Sequence, residues 1–180
     1  DLSDQVTASV VSVVPSGTTA GLGSDNTALR NMLTVTGTAI DADPGDTNNL
    51  DWSFASGSEA FDYLDDGESL QLTYTVRATD DSLATADKTV TITITGTNDA
   101  PVIPVVTVES GDSDAATLLE TDGALSTSGT LTVTDADLSD TVTASVVSVT
   151  PTGTTTGLGS DNTALLNMLT VTATPIDADP

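Results

Sequence analysis

Residues 69–96 read SLQLTYTVRATDDSLATADKTVTITITG. Leu70, Leu72, Tyr74, Val76 and Ala78 alternate with Ser69, Gln71, Thr73, Thr75 and Arg77, and Val90, Ile92 and Ile94 alternate with threonines. A two-residue apolar period sends successive side chains to opposite faces of a pleated strand, and β-branched and aromatic residues fit that pleat. One apolar face and one polar face mark an antiparallel sheet covered on one side and wet on the other. The polar stretch TDDSLATAD between the runs predicts a hairpin that joins them.

The same pattern spreads outward from this hairpin. Leu33 and Val35 alternate with polar residues, as do Leu131 and Val133, which predicts a strand over 130–134. A further apolar run from Val102 to Val108 predicts another strand. In VTASVVSV the apolar parity changes at Val10-Val11, which predicts a bulge. Turn clusters separate the runs at VPSGTTAGLGSDN, DADPGDTNN and LDDGES, and SDNTALRNM predicts one short helical turn. Many short strands and no long helical pattern point to an all-β fold, with an immunoglobulin-like or cadherin-like β-sandwich as the expected architecture.

The first 44 residues recur almost unchanged, with an offset of 136 residues, from Asp137 to Pro180. Seven positions differ (5, 14, 16, 20, 30, 37 and 39 of the first copy), so 37 of 44 match. A repeat this long and this similar indicates a tandem array of near-identical domains. The two copies are expected to adopt the same strand pairing. The Ile94 strand closes one sandwich, Gly96 to Pro101 is the linker, and the next sandwich opens at Val102. Pro101 and Pro104 stiffen that entry. The expected division is 1–99 and 100–180, with the first sandwich lacking the strands that match 101–136 and the second lacking those that match 45–98. Core positions such as Val6, Leu33, Leu131 and Val171 are then expected to be exposed. Residue 1 is expected to be either a mature start or an internal cut.

Composition narrows the function. The 180 residues include 27 acidic side chains and three basic ones, Arg30, Arg77 and Lys88, for a net charge of −24. Nucleic acid and anionic membrane surfaces need clustered Lys and Arg, so neither is an expected partner. A cation is. So acidic a chain with few aromatics can also be disordered, but disordered acidic tails do not hold a strict two-residue apolar period. Without cysteine there is no disulfide or thiolate site, and without histidine the commonest general base and the usual zinc ligand are missing. No run of 18 apolar residues occurs, so direct membrane insertion is not expected.

The stretches GTNDAPVI, LTVTDADLSDTVTASVVSV, LDWSFASGSEAFDYLDDGESLQLTYTVRATDDS and ATADKTVTITITGTNDAPVI together resemble the VCBS repeat family, over essentially the whole chain. Such repeats occur in very large secreted bacterial adhesins and related repeats-in-toxin surface proteins. The resemblance implies a cadherin-like sandwich, type I export, display on the bacterial cell surface, and a spacer or adhesive role that supports biofilm cohesion. The implied partners are neighbouring repeats of the same polypeptide and other copies of the chain.

Asp135-Asp137-Asp140 and Asp41-Asp43-Asp46 share one spacing, and Asp177-Asp179 begins another copy. Alternate carboxylates in an extended loop point the same way and can converge on a hard cation, for which Ca2+ is the expected ion. The EF-hand pattern is not met, and aspartate is also simply a good turn residue. The hairpin places Asp65, Asp66 and Glu68 at the same end of the sandwich as Asn98 and Asp99. A strand at 130–134 running back toward the linker would bring Asp135, Asp137 and Asp140 to that end, so these eight residues are candidate metal ligands. Asp1, Asp4, Asp80, Asp81 and Asp87 are expected at the opposite end, with Asp80 and Asp81 as further candidates. For Asn98 and Asp99 the competing reading is an Asx turn.

Trp52, Phe54, Phe61, Tyr63 and Tyr74 cluster in sequence and are expected in the sandwich core. A sugar-stacking platform is the alternative, and an exposed Trp52 in a groove would favour it. Paired carboxylates can make a glycosidase, but nothing here sets an acid and a base in a cleft, and no enzymatic activity is expected. The expected role is a calcium-rigidified extender of a surface adhesin. The rivals are a carbohydrate-binding module and a self-assembling filament subunit whose strands are exchanged between chains.

Overall fold

The computed structural model describes residues 5–106 and 111–179. The chain divides into two compact units, Asp1–Asp99 and Ala100–Pro180. The fold is all-β, with two short helices among the described residues.

In the first unit, β5 (Ser69–Asp80) and β6 (Thr85–Thr95) form the hairpin, paired from Ser69 opposite Thr95 to Thr79 opposite Thr85. Asp80 closes the turn. Its backbone amide donates to the Ala84 carbonyl at 3.0 Å, and its Oδ1 accepts from the Ala84 amide at 2.7 Å. On the other side of β5 lies β1 (Gln5–Gly17), and β1 also pairs at its start with β3 (Ile40–Asp41), so the sheet order is β3-β1-β5-β6. The bulge falls where the parity changes, between Val10 and Ser12. Before it, Val6, Ala8 and Val10 lie opposite Asp80, Ala78 and Val76. After it, Val13, Pro15 and Gly17 lie opposite Tyr74, Leu72 and Leu70. The extra residue thus keeps both apolar series on the face that carries Tyr74. Pro15 is tolerated because β3 covers only Gln5 and Val6, leaving that flank of β1 open.

The apolar face of β5 is the core, with Leu70, Leu72 and Tyr74 fully buried. A second ribbon, β2 (Leu33–Val35) paired with β4 (Trp52–Phe54), meets it through the Phe54 ring, edge-on to Tyr74 at 6.4 Å. Helix α1 (Asn26–Asn31) follows β1, and Asp25 caps it by accepting from the amides of Thr27 and Ala28 at 2.9 and 2.8 Å. Leu29 on this helix is 1% exposed, and its carbonyl accepts from the Tyr74 hydroxyl at 2.8 Å. Asp25→Ala is expected to destabilise the first unit by about 1 kcal/mol, read from chemical unfolding followed by Trp52 fluorescence. An unchanged midpoint would mean that the tertiary contacts of Leu29 alone hold the helix.

In the second unit the repeated segment reproduces part of this. Strand β7 (Thr141–Val142) pairs with β8 (Ile176–Asp177) in the same register as the start of β1 with β3, displaced by 136 residues. Helix α2 (Asn162–Leu166) is capped by Asp161 as α1 is by Asp25. The common pairing expected of the two copies stops there. Residues 143–149 are irregular, whereas their counterparts 7–13 lie in β1. The counterparts pair with β5, and no strand like β5 occurs among the described residues of the second unit.

Two other expectations are corrected. No continuous strand forms over 130–134; Thr134 alone makes a bridge with Val102, exchanging hydrogen bonds of 2.8 and 2.9 Å. One bridge does not propagate, because Ile103 and Val105 are 62% and 88% exposed and have no face to pack on. Residues 107 and 108 of the expected Val102–Val108 strand lie outside the described residues. Leu131 and Val171 are exposed as expected, but Leu33 is 2% exposed and Val6 half-buried.

Candidate metal centre

At the linker end of the first unit, residues 64–68 form a tight turn against Gly96. Glu68 donates its backbone amide to the Asp65 carbonyl at 3.0 Å, and the Gly96 amide donates to the Glu68 carbonyl at 3.0 Å. The carboxylates are partly spent on the turn itself. Asp65 Oδ1 accepts from the Asp66 amide at 2.5 Å, and Glu68 Oε2 accepts from the Asp65 amide at 3.4 Å. Asp65 and Glu68 are half-buried and Asp66 is exposed. The half-buried Asp99 lines a cavity of about 110 Å³ with Phe61, Leu64, Ile94, Gly96 and Thr97. The exposed Asn98 turns its amide onto the Asp99 carbonyl. An Asx turn, the competing reading for this pair, would instead have the Asn98 side-chain oxygen accept from the amide two residues on.

Gly96 lets this end close. A Cβ there would collide with the carbonyl oxygens of Leu64 and Asp65. Backbone atoms cannot swing aside as a flexible side chain can. Gly96→Ala is therefore expected to displace the 64–68 turn and destabilise the first unit by about 1–3 kcal/mol. Denaturant titration with Trp52 fluorescence measures the loss, and a wild-type midpoint would show that the turn moves freely.

Asp80 and Asp81 sit at the other end of the sheet. Val6 lies opposite Asp80, and Gln5 opposite Asp41, so the Asp41-Asp43-Asp46 loop shares that end. Asp80 is committed to its hairpin turn and Asp81 is exposed. Asp43 Oδ1 is buried with no hydrogen-bond partner. Asp87 forms a two-pronged pair with Arg77, at 2.7 and 2.8 Å. That bond and the guanidinium charge hold the Asp87 carboxyl below the usual carboxylate range. Asp1 and Asp4, also expected at this end, lie outside the described residues.

Among the described residues, the buried acidic side chains belong to the second unit. Asp135 is 4% exposed and Asp137 fully buried. Asp135 Oδ1 accepts from the Asp137 amide at 3.4 Å, and the Asp140 amide donates to the Asp137 carbonyl at 3.3 Å, so the loop curls around its own carboxylates. Carboxylate oxygens of Asp137 and Asp140 lie within 4.8 Å of each other. Like charges this close repel, and burying Asp137 beside another carboxylate is costly unless a cation neutralises the pair. The donor set is all oxygen, as calcium requires.

Two residues outside the expected ligand set belong to this region. The Asp135 amide donates to the Ala178 carbonyl at 2.8 Å, which brings Asp177 and Asp179 alongside the loop. Burial, the Asp177 charge and a hydrogen bond with Asp177 push the Asp179 carboxyl up. The repeat carried the signal: if the start of one copy pairs with its own end, the DAD stretches at both ends become neighbours.

Trp52, expected in the core, is 51% exposed, whereas Phe61, Tyr63 and Tyr74 are buried. It lies on the two-stranded β2-β4 ribbon, to which no further strand pairs among the described residues. It lines neither the cavity at Asp99 nor the groove between the bulge and α1. Among the described residues no helix is long and apolar enough to cross a membrane. Compared with protein-family models, curated proteins and solved structures, the chain matches none.

Proposed function

We propose that this chain is a stretch of a tandem array of β-sandwich repeats, stiffened by calcium at its carboxylate-rich ends, that serves as an extracellular extender of a bacterial surface adhesin. The observation that carries it is the repeated register: Gln5 opposite Asp41 and Val6 opposite Ile40 recur as Thr141 opposite Asp177 and Val142 opposite Ile176. A second framework built to one plan supports an array of like modules. The calcium part rests on Asp135, Asp137 and Asp140 in one loop, the first two of them buried, and on Asp65, Asp66, Glu68 and Asp99 at the linker end of the first unit. The adhesin setting rests on the VCBS-like motifs and on an acidic surface suited to calcium-rich surroundings.

Calcium would supply the positive charge that lets these carboxylates stand together, and the linker residues Asn98 and Asp99 would then have a fixed direction. The test is small-angle scattering from a chain carrying two complete repeats, in millimolar calcium and in chelator. Calcium is expected to lengthen the particle. An unchanged length would reduce TNDAP to a turn and the carboxylates to a solvated surface.

A further inference from the structure

In the first unit Met32 and Leu33 are 7% and 2% exposed, but the same residues one repeat later, Met168 and Leu169, are 69% and 64% exposed. Val147 is 88% exposed and Val171 43%. The sequence around them is nearly unchanged, so the difference is one of cover. In the first unit the cover is known: β1 pairs along β5 from Val6 to Gly17, the Tyr74 hydroxyl reaches the Leu29 carbonyl, and the β2-β4 ribbon closes over Met32, whose carbonyl accepts from the Ala55 amide at 2.8 Å.

We infer that residues 137–179 form an acceptor for one further β-hairpin of the β5-β6 type, with Leu-x-Leu-x-Tyr-x-Val on its inward strand. The inference rests on the tandem-repeat reading and adds the partner of the second unit. The parts that set the register are in place: β7 and β8 paired, α2 capped, and the Leu165 carbonyl at the position of Leu29. With the offset of 136, Ala144, Val146, Val149 and Pro151 take the inward positions of Ala8, Val10, Val13 and Pro15, and Val147 becomes the bulge residue. A strand of this kind forms only when its backbone groups find a ladder. A hairpin borrowed from a second copy of the chain gains little, because the donor's own residues 1–44 lose the same cover. The occupant is therefore an additional hairpin.

The chain contains two methionines, one in each copy, which makes the test internal. Mild peroxide oxidises exposed methionine ahead of buried methionine. In the 180-residue chain Met168 is expected to oxidise about tenfold faster than Met32. Repeating residues 45–99 after Pro180 is expected to slow Met168 to the rate of Met32, in calcium and in chelator alike. Protection in chelator separates hairpin docking from calcium stiffening, since docking then stands even if calcium leaves particle length unchanged. The same extended chain carrying Tyr74→Asp in the added segment is expected to leave Met168 fast. The inference is overturned if Met168 stays fast beside the added wild-type segment, if the Tyr74→Asp segment protects equally well, or if Met168 is already as slow as Met32 in the original chain. Protection that rises with concentration of the original chain would assign the face to a second copy instead, and also overturns it.

Discussion

Tyr74→Ala is expected to destabilise the first unit by about 3–5 kcal/mol, a large share of the roughly 5–15 kcal/mol that holds a typical domain. Tyr74 is fully buried at the centre of β5. It joins three elements at once: its ring packs on Phe54 of β4, its hydroxyl bonds the Leu29 carbonyl of α1, and its backbone lies between Val13 of β1 and Val90 of β6. Removing the ring leaves a cavity among backbone ladders that cannot collapse without breaking register. Tyr74→Phe keeps the ring and loses only the hydroxyl. The Leu29 carbonyl retains the Met32 amide at 3.1 Å, so this variant is expected to cost about 0.5–1.5 kcal/mol. Trp52 is the only tryptophan, so its fluorescence in a urea titration reports on the first unit alone. A Tyr74→Ala midpoint equal to that of Tyr74→Phe would refute the packing account.

The same residue sets an alkaline limit. Burial holds the Tyr74 phenol above its ordinary value of 10.0, and burial with the charges of Glu59 and Glu68 does the same for Tyr63. Above that ordinary value the unfolded chain releases the phenolic protons while the folded chain still holds them. Stability from these groups is thus complete below the unfolded value and falls as pH rises through the folded one. Tyr74→Phe is expected to flatten the fall without abolishing it, because Tyr63 remains.

Millimolar calcium is expected to give the second large effect. Binding to the folded state alone stabilises by RT ln(1 + [L]/Kd), about 2.7 kcal/mol at one hundred times Kd. Extracellular calcium modules have Kd of about 10⁻⁴–10⁻³ M, so 10 mM calcium at the tighter end reaches that value for each site. For a unit of this size about 1 kcal/mol moves the melting temperature by about 4–8 °C, so one such site shifts it by about 10–20 °C. The effect should be largest in the hydrogen-exchange protection of residues 134–142, where Asp135 and Asp137 are buried. Asp137→Asn removes one carboxylate of that loop and is expected to blunt the calcium response. Magnesium is expected to do less, since it keeps its waters and demands a near-octahedral site. Equal protection in calcium and in chelator would sink the metal reading of the loop.

Much of the first unit was legible because its signals are local or periodic. The two-residue period marked β5 and β6, the parity change at Val10-Val11 marked the bulge, and the run SDNTALRNM marked a helix that its own Asp25 caps. The ligand candidates were legible only as aspartate spacing. That spacing does not say that Asp80 is taken up by its hairpin turn or that Asp65 bonds the next backbone amide. Nor does it say that β8 brings Asp177 and Asp179 beside Asp135. Trp52 was misplaced because alternation tells which residues share a face, not whether another layer covers that face.

The repeat separates the two kinds of information within one molecule. Asp25 and Asp161 cap short helices in both copies, and Gln5-Val6 and Thr141-Val142 take the same partners in both, so these features follow from the sequence itself. The long strand β1 does not. Residues 7–13 are strand and residues 143–149 are not, although the two stretches are identical in sequence. A helix satisfies its backbone within a few residues of itself, whereas a strand must borrow its hydrogen bonds from a distant segment. Only the tertiary structure, by placing β5 beside one copy, decided which of the two became a strand.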